Sequence, residues 1–191
     1  MNNSRTALSK ANLPDLATDY KKRSECDAEA GYFIFYSDRK LRLLNQCGLH
    51  FFQALEKEMA SEAILFFAEA GEPKDIGEML RSHRIDQLGL SIFKSFECIL
   101  EKHRCEISPV EIATIERAAE SFHRFVATEL QSNWLHNNLR YPRLHQGAEG
   151  TITHWESIEF SEREIEKLKE RLECFRSWAE NLRKLVRSMS Q

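Results

Sequence analysis

The chain has 191 residues, of which 42% are hydrophobic and 30% charged, and its formal net charge is -3. This apolar share is enough for the core of one domain and excludes a largely disordered chain. The small negative charge excludes the global positive field that drives sequence-independent nucleic-acid binding, although a local basic site is still compatible with it. No window approaches the roughly 18 apolar residues of a membrane span, and the first residues lack the apolar stretch of a signal peptide. We therefore expect a cytoplasmic protein with no membrane attachment.

Cysteine and histidine spacings give no sign of a metal site. The five cysteines are odd in number and form no C-x-x-C pair, which is typical of reduced thiols rather than of a disulfide framework or a zinc ribbon. His136, His145 and His154 recur at intervals of nine residues, but no helix or strand period superposes that spacing, and no carboxylate pattern completes a site. We expect neither a metal nor another cofactor.

The chain-breaking residues are few, with seven glycines and four prolines, and this favours an all-α protein. Ser108 and Ser161 each begin a capping box, the pattern Ser-x-x-Glu that marks a helix start. A break near Gly48 is possible in the first helix. Apolar residues recur at helical intervals in four segments: 38–71, 76–103, 108–134 and 161–191. The sequence thus predicts an up-and-down four-helix bundle with an N-terminal appendage.

The last of these helices carries the clearest periodic pattern. Its apolar residues alternate at three- and four-residue spacing from Ile165 to Met189, as in the seam of a bundle or a coiled coil. A bundle helix is favoured over a two-chain coiled coil because Trp178 and Leu185 widen the apolar stripe. Dimerisation through this helix is the alternative.

Two regions lack a helical period. Residues 1–37 are predicted to form an N-terminal arm with a short helix or an extended segment, separate from the bundle domain at 38–191. Within the arm, Tyr32–Tyr36 has the aromatic and β-branched composition of a strand, and Thr151–Trp155 is a second candidate strand. Connections as long as 135–160 are usually functional when they occur in a compact domain.

The long loop concentrates basic and aromatic residues near its start, around the stretch RYPRLH. Guanidinium groups bind phosphate and aromatic rings stack on bases, so this composition suits contacts with RNA. A solvated turn is the alternative interpretation. Pro142 places the stretch at a helix end, so it does not lie on a helix face. The residues concerned are His136, Arg140, Tyr141, Arg143, His145, His154 and Trp155.

Four segments, in this order, resemble AbiV-type abortive-infection proteins of the HEPN superfamily of small helical ribonucleases and toxins. They are ALEKEMASEAILFF, LRSHRIDQL, LRYPRLHQG and FSEREIEKLKERLECF. Arg140 followed by His145 is similar to the R-x4-6-H motif of that superfamily. His83 and Glu58 also match residues of the first two family helices.

The resemblance implies a HEPN-like bundle and a metal-independent RNA-cleaving or RNA-binding effector of bacterial defence or of a toxin system. Arg140 and His145 would be catalytic, and Tyr141, Arg143 and His136 would bind substrate. RNA cleavage requires a base, an acid and a cation, and one histidine cannot be base and acid at once. A homodimer would bring two histidines into one cleft, and an antitoxin would be a further partner. The alternative function is a non-catalytic helical module that dimerises or binds a protein through its last helix.

Other pairs and clusters are weaker candidates. Arg117 and His123 also have the motif spacing, but they lie about 120° apart on a helix. His83 and His103 are expected to be hydrogen-bonded core histidines. Exposure on a charged helix face is the expectation for three further carboxylates, those of Glu56, Glu58 and Glu62.

Overall fold

The computed structural model describes residues 12–38, 43–71, 76–81, 84–130, 143–146, 152–156 and 160–189. Its helices are α1 Leu13–Phe35, α2 Leu44–Ala70, α3 Ile76–Arg81, α4 Ile85–His103, α5 Pro109–Phe125 and α6 Glu162–Met189. A π-helical turn, Val126–Leu130, continues α5. Two short strands, β1 Arg143–Gln146 and β2 Ile152–Glu156, precede α6. A helical bundle is therefore confirmed.

The helix ends follow local chemistry. The Ser108 hydroxyl accepts from the backbone N–H of Glu111, whose carboxylate accepts from the Ser108 backbone N–H, so the predicted capping box is present. Ser161 and Glu164 make the same reciprocal pair before α6. Gly71 ends α2 with φ 88°, in the left-handed region that glycine adopts without strain. These starts and stops agree with the sequence prediction.

Helix α1 corrects the prediction for the N-terminal region. It is 23 residues long, where a short helix or an extended segment was expected, and it includes most of the stretch predicted as a strand. The aromatic composition of that stretch serves packing: the ring of Tyr32 lies 5.1 Å from the ring of Phe51 on α2, edge to face. The strand prediction at Tyr32–Tyr36 is wrong, because aromatic residues suit a packed helix face as well as a pleated one.

Helix α2 is continuous through Gly48, so the suggested break is absent. The absence of a side chain at Gly48 is explained by a residue that is distant in sequence. A Cβ atom at position 48 would lie 2.8 Å from the ring of Phe160, just before α6. Gly48 therefore allows the start of α6 to approach the α2 backbone.

The bundle is not up-and-down. The segment predicted as one helix, 76–103, divides into α3 and α4 at Arg84, whose backbone is extended at φ -96° and ψ 110°. Residues later in α2 contact residues later in α4. Phe66 packs edge to face against Phe96, and further along both helices Lys102 donates to the Ala70 carbonyl. Helices α2 and α4 therefore run in the same direction, because the chain reverses within the connection that contains α3.

The apolar seam of α6 is buried within this chain. Seven of its residues are among the buried core, which confirms the bundle interpretation of the periodicity over a free coiled-coil face. The largest fully buried side chains include five phenylalanines at the centre: Phe51, Phe52, Phe96, Phe122 and Phe175. Within the described residues, no helix is both long and apolar enough to cross a bilayer.

The long connection before α6 contains an antiparallel two-stranded hairpin. Strand β2 confirms the candidate strand at Thr151–Trp155, with a shift of one residue. Strand β1 was not predicted, and it takes up the second half of RYPRLH. The connection thus contains regular structure without a helical period at these nine residues.

Candidate functional site

The hairpin brings together two histidines that are nine residues apart in sequence. Its register pairs His145 with His154, Arg143 with Glu156 and Leu144 with Trp155. Directly opposed residues of an antiparallel pair lie about 4.5 to 5.5 Å apart at Cα. The register shifts between His145 and Gln146, so the irregularity begins immediately after the histidine pair. Irregularities of this kind are common next to functional sites.

The remaining residues predicted for this site lie outside the described residues. They are Arg140, Tyr141 and His136, and the same holds for His83. Of the residues matched through the resemblance, the structure therefore describes Glu58 in full and places the backbones of Arg143 and His145. The geometry of the Arg140–His145 pair stays a prediction.

Glu58 lies in the interior, contrary to the expectation of exposure. It is 1% exposed, on the face of α2 that both α1 and α6 approach. Lys21 of α1 donates to its Oε1, and the Ser24 hydroxyl donates to its Oε2 at 2.8 Å. The Nε of Arg176 on α6 lies 3.5 Å from the same Oε2. Glu58 thus links three helices through one carboxylate.

Glu62, one turn along α2, forms a second interior ion pair. It is also 1% exposed, and its Oε2 lies 3.4 Å from the Nε of Arg183. This distance makes an ion pair without hydrogen-bond geometry, and within the described residues that oxygen accepts no hydrogen bond. Burial raises the pKa of the Glu62 carboxyl; Arg183 opposes the rise and Glu58 adds to it. Glu56 is buried as well, so the expectation of exposure is wrong for all three.

The surface where α1 and α6 meet over these carboxylates will be called the α1–α6 seam. At one end of the seam, side chains of α1 and α6 contact each other directly. The Tyr32 hydroxyl donates to Glu173 at 2.7 Å, and Lys169 donates to the Tyr36 hydroxyl at 3.1 Å. Burial, and then the bond to Glu173, raise the pKa of Tyr32 to about 12. The seam comprises Lys21, Tyr32 and Tyr36 on one side, Lys169, Arg176 and Arg183 on the other, and Glu58 and Glu62 beneath.

The seam was missed because the relevant signal is distributed over three helices. Two acids at i and i+4 within the apolar run of α2, and three cations at seven-residue intervals on α6, are each ordinary helix-surface patterns. Together they would have suggested a buried charged layer. Only the packing of α6 parallel to α2 brings Arg176 to Glu58 and Arg183 to Glu62.

His123 and His103 each have a partner on α4 or on the turn that follows it. His123 is exposed on α5, as expected, and its ring lies 4.6 Å from that of Phe93. Arg117 donates to the Ala113 carbonyl of its own helix. His103 is hydrogen-bonded to Glu106 at 2.9 Å, but it is the last residue of α4 and is not buried in the core, so that part of the expectation is wrong.

Two further candidates are a groove beside α5 and the buried thiol of Cys47. A groove of about 680 Å³ lies between α5 and the end of α6, but its Glu111 is engaged in the capping box and its Glu106 in the contact with His103. Burial raises the pKa of Cys47 to about 11, so its thiol stays protonated at neutral pH. Among the described residues, no three His, Cys, Asp or Glu side chains are placed to hold a metal.

No family model, curated protein or solved structure matches this chain.

Proposed function

We propose that this protein is a metal-independent RNA-cleaving effector of bacterial defence or of a toxin system, with the β1–β2 hairpin as its catalytic element. The observation that supports the proposal best is the register pair of His145 and His154. The HEPN-like character and the role of Arg140 rest on the sequence resemblance.

The paired histidines address the requirement for two proton-transfer groups. Histidine is the side chain whose ordinary pKa lies near neutrality, so one imidazole can accept a proton while another donates one. One histidine would take the proton of the 2′-hydroxyl, whose oxygen then attacks phosphorus. The other would protonate the departing 5′-oxygen, leaving a 2′,3′-cyclic phosphate and a free 5′-hydroxyl.

The cationic role goes to Arg140 and not to Arg143. Transition-state charge on the phosphoryl oxygens requires a guanidinium that is free to bind it. Arg143 has Glu156 as its register partner, and opposite charges at directly opposed positions attract one another. Arg143 is therefore assigned to the hairpin register, and the phosphate is assigned to Arg140 on the sequence resemblance.

This arrangement changes the role of a homodimer. With a second histidine in the same chain, two subunits are no longer needed to supply acid and base. Dimerisation and an antitoxin partner stay separate proposals. Light scattering tests the first of them, and an active monomer would show that one chain contains all the groups that the reaction requires.

The test compares His145→Ala, His154→Ala and Arg140→Ala with the unchanged protein on total RNA in excess EDTA. Each is expected to slow cleavage by about 10² or more, the usual contribution of a general acid or base. His123→Ala is the matched control because His123 is an exposed histidine on α5. Identical products and rates from all variants would exclude the hairpin as the catalytic element.

A chemical control separates this reaction from contaminating nucleases. An oligoribonucleotide with a single 2′-deoxy residue should resist cleavage at that linkage only, because the attacking oxygen is missing there. Cleavage at the modified linkage would contradict the proposed mechanism even if the histidine variants were inactive.

A further inference from the structure

We propose that the α1–α6 seam binds the single-stranded RNA on which the hairpin acts, with its cations on phosphates and Tyr36 against a base. The identity of the ligand rests on the proposed function, whereas the surface itself is defined by contacts that are independent of the hairpin.

The cations of α6 form a line along one face. Lys169, Arg176 and Arg183 are seven residues apart, which is close to two helical turns, so they lie above one another over roughly 21 Å. Lys21 of α1 reaches the same line because it shares the Glu58 carboxylate with Arg176. A phosphate chain laid along the seam would therefore pass one cation after another.

Burial separates the two signs of charge in depth. Glu58 and Glu62 are each 1% exposed, whereas the side chains of Lys21, Arg176 and Arg183 are 34%, 30% and 36% exposed. An anion approaching from solvent meets the cations first, and the carboxylates lie beneath them. The cationic groups of the seam are thus more accessible to an anion than its two carboxylates are.

The carboxylates also fix the two guanidinium groups. In both arginines the Nε atom is buried and faces its carboxylate. The solvent-exposed area of each side chain therefore belongs to atoms other than Nε. Within the described residues, neither guanidinium has a second ion-pair partner besides Glu58 or Glu62. A guanidinium whose Nε faces a buried carboxylate directs its two terminal nitrogens away from it, and such a fork of two nitrogens favours bidentate binding of phosphate.

An aromatic surface lies at one end of the line. Tyr36 is 70% exposed, and its ring is parallel to that of Tyr32, with an interplanar angle of 5° and centroids 6.3 Å apart. Lys169 Nζ is 5.6 Å from the Tyr36 centroid. A cationic track with an exposed ring is the combination by which proteins bind single strands, whose bases are free to stack.

Three further glutamates of α6 lie beside the seam, Glu166, Glu173 and Glu180, and after the hydrogen bond to Tyr36 the first two help to raise the pKa of Lys169. Glu173 accepts from the Tyr32 hydroxyl, and Glu180 is paired with Lys184 at 2.9 Å. They reduce the positive field without occupying the exposed parts of Arg176 and Arg183. A duplex would present no unpaired base to Tyr36, so the surface favours a single strand.

The test measures binding without cleavage, on a fluorescently labelled, unstructured oligoribonucleotide with 2′-O-methyl groups throughout. The variant is the double change Glu62→Gln with Arg183→Gln, which removes an ion pair without leaving a buried charge alone. Its slope of log affinity against log salt concentration is expected to be smaller by about 0.7, the value for one lost phosphate contact on a single strand. Tyr36→Ala should weaken binding without changing this slope.

Lys184→Gln is the matched control, because it removes a cation from the adjacent residue, where Lys184 is 64% exposed. An equal slope for this control and for the Arg183 double variant would overturn the proposal, as would undetectable binding by the unchanged protein. Circular dichroism confirms that each variant remains helical. If the hairpin proposal fails, no histidine variant alters cleavage, yet the salt slopes still test the seam; if the seam proposal fails, the slopes are unchanged while cleavage still depends on the histidines.

Discussion

The interior of the α1–α6 seam and the β1–β2 hairpin both bring titratable residues together, the seam through ion pairs between helices and the hairpin through strand register. In the seam, Glu58 and Glu62 are almost fully buried, and their charges must be compensated by Lys21, Arg176 and Arg183. The hairpin is a pair of short strands, a unit with only marginal stability by itself in water. Burial thus ties the seam charges to the stability of the fold, whereas the hairpin histidines are brought together by strand register.

The largest effect on stability is expected from a substitution that introduces a charge into the core. Leu172→Glu places a carboxylate in a fully buried position of α6, with a cost on the order of 5 kcal/mol, comparable to the whole stability of a small domain. Loss of the helical circular dichroism signal is the expected result. Ser177→Glu, at an exposed position of the same helix, should leave the signal unchanged. Retained helicity with lost self-association would instead support the interaction-module alternative.

Removal of one seam carboxylate should be the next largest effect. Glu58→Ala leaves Lys21 and Arg176 without their shared partner and is expected to lower the free energy of unfolding by about 3 kcal/mol. Urea denaturation measures it. His154→Ala on the hairpin is expected to change that free energy by no more than about 0.5 kcal/mol while it abolishes cleavage. Equal losses of stability for both variants would remove the contrast between the two regions.

A smaller effect is expected at the boundary between the hairpin and α6. Ser161→Ala removes the capping hydroxyl that accepts from the Glu164 backbone N–H and should cost about 1 kcal/mol. The matched change, Ser108→Ala before α5, should cost about the same. If only the Ser161 variant also lost cleavage, the start of α6 would be shown to position the hairpin.

The smallest effect is a dependence on pH. The pKa of Glu62 is raised in the folded state by burial, so the folded protein holds this proton more tightly than the unfolded chain. The contribution to stability is present below the ordinary glutamate pKa, about 4.3, and is lost as pH rises through the raised value. Relative to Glu62→Gln, the unchanged protein should therefore become less stable as pH rises, as measured by paired urea titrations. A difference that grows in the other direction would contradict the raised pKa.

The sequence was informative wherever the controlling interactions are local. Ser108 and Ser161 marked the starts of α5 and α6 because a capping box closes within four residues. Gly71 marked the end of α2 because only its own backbone conformation decides it. The candidate strand at Thr151–Trp155 was recognised for a similar reason, since alternation and β-branching act within a few residues.

Prediction failed where a distant partner decides the outcome. Tyr32 and Phe35 lie on a helix whose rings pack against Phe51 of α2, and Gly48 reflects the approach of Phe160, which is distant in sequence. The parallel course of α2 and α4 depends on the reversal at Arg84, which no periodic pattern marks. The site was predicted only in part for the same reason. The spacing from Arg140 indicated His145, but its pairing with His154 depends on the strand register.

Helix starts, helix ends and the apolar face of α6 are properties of short stretches, so residue pattern alone specifies them. The burial of Glu58 and Glu62, the pairing of the two hairpin histidines and the direction of α4 each join segments that are far apart in sequence. Such contacts form only when the whole chain is packed. Tertiary structure decided them because a buried charge or a strand register is stable only with its partner in place.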